Sequence, residues 1–144
     1  MSYKRALQAL LVVVAGYDIY LAVLGLFFRN DSVTQAASYF NFNLELTTST
    51  YWLIGLLATY LLAFAAFLLL AATNPIKYMN VIYICLGLFL VRIVQRIDFM
   101  ISASKDTDLL ASPKDANTYL IGIIFVAVAL LFLTLKVRKL ESNN

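Results

Sequence analysis

The run from Tyr51 to Ala72 carries no charged residue. At 1.5 Å per residue, about 22 helical residues measure roughly 33 Å, enough to cross a bilayer's hydrocarbon core. Three further apolar segments accompany it: 6–28, broken by Asp18; 76–101, clean between Lys77 and Arg92; and 119–135. Backbone amides inside lipid have no water to bond, so only helices and closed barrels span it. None of the four segments alternates polar with apolar as a barrel strand does. The sequence therefore predicts an all-α chain: an integral membrane four-helix bundle, as a single domain over 1–144, with spans at about 6–28, 51–72, 76–101 and 119–135.

Composition agrees. The chain is 62% hydrophobic and 13% charged, against about 45–50% and about 25% in a soluble domain. That excludes a soluble globule, a disordered chain and a nucleic-acid module. The net charge of +3 implies no nucleic acid, because in a membrane protein the place of each charge matters more than the sum. Histidine is absent, and with it the commonest metal ligand and neutral-pH base. Cys85 is the single cysteine, so neither an intrachain disulfide nor a CxxC pair can form. There is no nucleophile elbow and no glycine-rich phosphate loop. The sequence assigns no catalytic residue, no metal site and no cofactor.

The charges outside the spans set an orientation. Lys4, Arg5, Lys77, Lys136, Arg138 and Lys139 lie at one set of span ends, with Glu141 the one acid there. The other set holds Arg29, Lys105 and Lys114 against Asp31, Glu45, Asp106, Asp108 and Asp115. By the positive-inside rule both termini face the cytoplasm. A rival reading takes Lys4-Arg5 and Val13-Val14-Ala15 as a signal peptide. Apolar character resumes after Asp18 and runs to Phe28, which favours an uncleaved span.

Between the spans, Asn74-Pro75 predicts a tight turn, since proline lacks an N–H and biases its predecessor away from helix. In the loop at 29–50, Ser32 and Gln35 read as a capping box. Val33, Ala36, Ala37 and Phe40 then share a helical face, which predicts a short interfacial helix. Phe40, Phe42, Leu44 and Leu46 alternate with Asn41, Asn43 and Glu45, so the chain is expected to extend afterwards. Asp115 or Asn117 is the expected cap of the last span.

For packing, Gly55, Thr59 and Ala63 form a small-residue stripe that would let helices approach closely. Gly16, Ala22 and Gly25 on the first span, and Gly122 and Ala129 on the last, offer the same. Tyr51, Trp52, Tyr78 and Tyr119 suit an aromatic belt. Tyr17, Tyr20, Tyr60 and Tyr83 lie deeper, and some of them are expected to face the interior.

One constellation goes beyond architecture. Asp18 lies about 18 Å along a helix from Ala6, and Arg92 about 21 Å from Tyr78, both counted from the same side. A lone charge at that depth costs at least about 2.5–3.5 kcal/mol, so a structural ion pair between them is expected. Gln95 and Arg96 share a face with Arg92. Three roles stay open: a pair that fixes register, a binding pocket formed by Asp18, Arg92, Gln95 and Arg96 for an anionic group, and Asp18 as a proton carrier.

The run Ala72-Thr-Asn-Pro75, the basic turn at Lys77 and the helix ending Leu90-Val-Arg-Ile-Val-Gln-Arg-Ile-Asp98 resemble the BphX-like family of small bacterial membrane proteins. The likeness extends to chain length, four-span layout and the long first loop; DoxX-like groups share that layout. It implies that Asn74-Pro75 and Arg92 match the family's turn and third-span arginine. Where the family places acidic residues soon after that arginine, this chain has Gln95 and Arg96 before Asp98. The resemblance implies an architecture and a bacterial cytoplasmic membrane as the location, and no particular activity.

Together these features predict a non-catalytic accessory or binding component with an outward-facing polar cavity for a lipid-like anion or a partner segment. Its surroundings would be the lipid bilayer, with a membrane-protein partner or a homo-oligomer. The alternatives are a membrane-embedded enzyme acting on a lipophilic substrate, and a subunit of an oligomeric small-molecule transporter.

Overall fold

A computed structural model describes residues 3–40, 47–103 and 113–142. Among the described residues there are five helices: α1 (Tyr3–Phe27), α2 (Arg29–Phe40), α3 (Thr48–Thr73), α4 (Met79–Ala103) and α5 (Pro113–Ser142). No strand occurs among the described residues. α1, α3, α4 and α5 are long and apolar enough to cross a membrane, and they fall on the four apolar segments read from the sequence.

Local chemistry sets the helix ends. The Thr47 side chain caps α3 by accepting from the Thr50 amide at 3.2 Å. At the other end Asn74 leaves helical geometry, with φ −151° and ψ 88°. Its side-chain oxygen accepts from the Lys77 amide at 3.4 Å, and its carbonyl accepts from the Tyr78 amide at 3.0 Å. With Pro75 buried behind it, this is the expected turn, and α4 begins at Met79.

Two expected caps are corrected. α2 exists, but it starts at Arg29 rather than at Ser32. The Phe28 amide donates to the Leu24 carbonyl, and the Phe28 carbonyl accepts from the Ser32 amide, both at 2.9 Å. The end of α1 thus supplies bonds that a capping box would otherwise make, and Ser32 lies inside the helix. α5 starts at Pro113, so Asp115 and Asn117 are helical residues and not caps. Proline's fixed φ and missing N–H suit a first helical position. The Gln35, Ala36, Ala37, Phe40 and Tyr119 side chains, and the extended stretch read at 41–46, lie outside the described residues.

The four long helices run up, down, up and down. α1 packs most extensively on α3, and α4 and α5 close the ring, each next to one of that pair and to the other. α1 and α4 therefore sit on a diagonal, with no close backbone approach among the described residues. The loop between α1 and α3 contributes α2, which contacts α1, α3 and α5 and so covers one end, called here the loop end. The opposite end carries both termini and the 74–78 turn.

The buried positions follow a three-four spacing, which is the seam of helices packed nearly parallel or antiparallel. On α3 it reads Ala58, Leu61, Ala65, Leu68 and Ala72. On α5 it reads Ala127, Leu130, Thr134 and Val137. On α1 it reads Leu7, Leu11, Val14, Asp18 and, beyond Leu21, Gly25. Near the termini these seams merge into one large core with Ile82, Cys85, Leu86 and Phe89 of α4. Toward the loop end the separate cluster is small: Ala22, Ala58 and Leu61, flanked by Leu21 and Leu26.

This corrects the packing stripe. Thr59 and Ala63 are exposed, and Gly55 has open space where a Cβ would stand. The inward face of α3 is the adjacent one, where alanines alternate with leucines that fill the gaps they leave. Gly16 and Gly122 also face open space. Gly25 is the glycine that permits a close approach: a Cβ there would stand 2.9 Å from the Ala58 Cβ and 3.4 Å from the Ile54 Cγ2.

Hydrogen bonds tie the helices at both ends. Gln8 Nε2 donates to the Ala72 carbonyl at 2.9 Å, satisfying an acceptor left over at the end of α3. Arg138 Nη1 donates to the Tyr83 hydroxyl at 3.4 Å. At the loop end the Tyr51 hydroxyl donates to Asn30 Oδ1 at 2.6 Å. Tyr83 is thus the deeper tyrosine packed on the core, whereas Tyr17, Tyr20 and Tyr60 are exposed.

Candidate functional site

α1 and α4 meet where neither backbone is near the other. Asp18 occupies a seam position of α1 and is 3% exposed. Arg92 extends the inward face of α4 one turn beyond Phe89, and its Nη1 lies 3.7 Å from Asp18 Oδ1 across the diagonal. That distance is an ion pair but too long for a hydrogen bond. The second oxygen, Asp18 Oδ2, is buried without a hydrogen-bond partner.

Aromatic rings form the floor under the guanidinium. Arg92 Cζ lies 5.6 Å from the centre of the Phe64 ring, within reach of a cation–π attraction. Phe64 in turn meets Phe89 edge to face, with ring centres 5.5 Å apart and planes at 74°. The arginine is therefore supported by α3 below and by the Asp18 carboxylate across the bundle. Its side chain remains 37% exposed, so its donors are not all turned inward.

Toward the loop end the inward face of α4 turns basic and loosens. Arg96 and Met100 continue the seam and are half-buried, and no described residue of α4 beyond Phe89 is fully buried. Gln95 is exposed beside them, and Asp98 is exposed on the outer side of the helix. The structure thus brings Asp18 and Arg92 together and puts Arg96 on the same inward face. Gln95 sits at its edge. A concavity of about 420 Å³ lies elsewhere, at the α1–α2 junction, lined by Leu26, Phe27, Phe28, Arg29, Asn30 and Asp31; none of the four candidate residues lines it.

Two site features escaped the sequence reading. Phe64 and Phe89 were read as span residues, although each lies on its helix's seam spacing, and that spacing was the signal. No group of three or more metal-ligating side chains occurs among the described residues. Comparisons with protein-family models, curated proteins and solved structures return no match. The BphX-like resemblance therefore rests on the motif residues alone.

Proposed function

We propose that this small multi-pass membrane protein is a non-catalytic binding or accessory component, holding the head group of an anionic amphiphile against Arg92, Gln95 and Arg96. The observation that carries this reading is the half-engaged state of Arg92. Its carboxylate partner is deeply buried and 3.7 Å away, while more than a third of the arginine side chain is exposed. A guanidinium offers five donors in a planar fork suited to two anionic oxygens. Arg96 follows one turn on, half-buried on the same inward face, and adds a second guanidinium beside the first. The exposed apolar side chains on all four long helices suit a bilayer around the site. In this reading both termini face the cytoplasm, the site opens toward the opposite leaflet, and α2 lies in that leaflet's interface. We place the chain with the BphX-like proteins on the turn at Asn74-Pro75 and the third-span Arg92.

Two measurements test this. Delipidated protein is titrated with anionic and zwitterionic amphiphiles while its melting temperature is followed. Saturable stabilisation by the anionic series, lost in Arg92→Gln and in Arg96→Gln, is expected; equal, non-saturating responses in wild type and variants defeat the site. Orientation is read from Ser2→Cys and Asp106→Cys in a Cys85→Ala background. An impermeant external reagent is expected to label the second and spare the first, and the reverse pattern inverts the topology.

A further inference from the structure

Asp18 is a buried carboxylate in poor hydrogen-bonding circumstances. Oδ1 faces Arg92 beyond hydrogen-bond distance, and Oδ2 has no partner. A buried ion pair is well compensated only when its geometry is close and its remaining lone pairs are satisfied. Neither condition holds here. Oδ2 is shut off from its surroundings and accepts no bond, so the ionised carboxylate lacks much of the compensation a buried charge needs, and a proton is the species that removes that charge in place.

The surroundings leave Arg92 as the balancing charge. α3 gives Phe64, Ala65 and Leu68 to the core that adjoins this pair, and α5 gives Ala127 and Leu130, none of which titrates. α4 brings Arg92, the buried thiol of Cys85 and, a turn further on, Arg96. At the far end of α1, Arg29 and Asp31 of α2 are both exposed to the surroundings. Arg92 therefore neutralises Asp18 from one side while facing outward on the other.

We infer that the site takes up an anionic head group and a proton together: the anion binds at Arg92, and Asp18 accepts the proton. This rests on the anion-binding reading above and adds its coupling. A second anion at Arg92 competes with Asp18 for one guanidinium. If Asp18 stayed ionised, a buried carboxylate would lose most of its compensation. Proton uptake removes that charge in place, with no helix displaced. The balance closes: a carboxylate and a guanidinium before binding, a carboxylic acid, a guanidinium and one bound anion after it, neutral in both states. Linkage makes the effect reciprocal, so acidification tightens anion binding by the same free energy that the anion adds to proton binding.

The test is calorimetric titration of the full chain in mild detergent with dioctanoyl phosphatidylglycerol, whose phosphodiester stays ionised from mildly acidic to mildly alkaline pH. Each titration is run in two buffers of different ionisation heat, so that protons taken up on binding appear as a buffer-dependent heat. Saturable binding with uptake of about one proton is expected, tightening by up to about tenfold for each pH unit of acidification. Asp18→Asn, a permanent mimic of the protonated acid, is expected to bind without proton uptake and with a flat pH dependence. Asp18→Glu restores both, and stands in should the asparagine variant fail to fold. Dimethyl phosphate, the same diester without acyl chains, runs in parallel; proton uptake with it supports the coupling with a soluble anion as the ligand. Saturable binding with identical heats in both buffers overturns the coupling and leaves the anion site standing. Absence of saturable binding by either probe overturns both.

Discussion

The two halves of the bundle share one periodicity and differ in what they place on it. Near the termini the three-four seam is filled by Leu7, Leu11, Leu68, Ile82 and Leu130, all buried and interlocked in one cluster. Beyond the level of Asp18 and Arg92 the same spacing runs on, but α4 supplies arginines and the apolar cluster shrinks to Ala22, Ala58 and Leu61. Helix packing in lipid draws on van der Waals contact and interhelical polar bonds, because lipid tails are as apolar as leucine. The terminal half combines a large apolar core with the Gln8–Ala72 and Arg138–Tyr83 bonds, whereas the loop half has a small apolar cluster and the Tyr51–Asn30 bond. The charged pair lies where the large buried core gives way to a more loosely packed half.

The largest expected effect comes from cutting that boundary. Arg92→Met leaves Asp18 buried without a counter-charge, and removing one partner of a buried pair costs about 3–5 kcal/mol. A matching fall in stability in detergent, with partial recovery in the Asp18→Asn/Arg92→Met double variant, is expected from denaturant or thermal unfolding. Strictly additive losses would mean that the two groups do not interact.

Next comes a direct comparison of the halves within one helix. Leu130 is fully buried in the terminal half of α5, and Ile123 is the half-buried seam residue on its loop side. Leu130→Ala is expected to cost about 2–5 kcal/mol, the range for fully buried leucines. Ile123→Ala should cost about 1 kcal/mol, in proportion to its lesser burial. Equal losses would show that the loop half is packed as tightly as the rest.

The smallest pair separates a close approach from open space. Gly25→Leu forces side-chain atoms against Ala58 and Ile54, and overpacking of this kind costs about 1–3 kcal/mol. Gly55→Leu, with nothing near its Cβ direction, should lose nothing and gain up to about 1 kcal/mol, because a glycine leaves the helix interior. A loss at Gly55 as large as that at Gly25 would place that face of α3 in a contact outside the monomer.

Spans and the turn at Asn74 were legible because the bilayer imposes a length and proline imposes a break. Depth was legible too, since residues can be counted along Asp18's helix and along Arg92's. Faces were not. α3 carries small residues on two sides, and in a chain whose outside is as apolar as its core, hydrophobicity does not tell which side turns inward. The choice fell to Ala58, Ala65 and Ala72, whose spacing lets Leu61 and Leu68 interlock with α1. Nor could counting show that α1 and α4 stand on a diagonal, since that depends on how the helices close into a ring. The start of α2 was hidden because Phe28 bridges the two helices through its backbone, its amide donating to the Leu24 carbonyl of α1 and its carbonyl accepting from the Ser32 amide of α2.

The diagonal has a consequence for biosynthesis. α1 and α3 form the most extensive helix pair, and they leave the ribosome first, so they can associate as a hairpin before α4 exists. During that interval Asp18 sits in their seam with no arginine to meet it. The nascent hairpin carries an uncompensated acid until α4 follows, and Arg92 then brings its counter-charge.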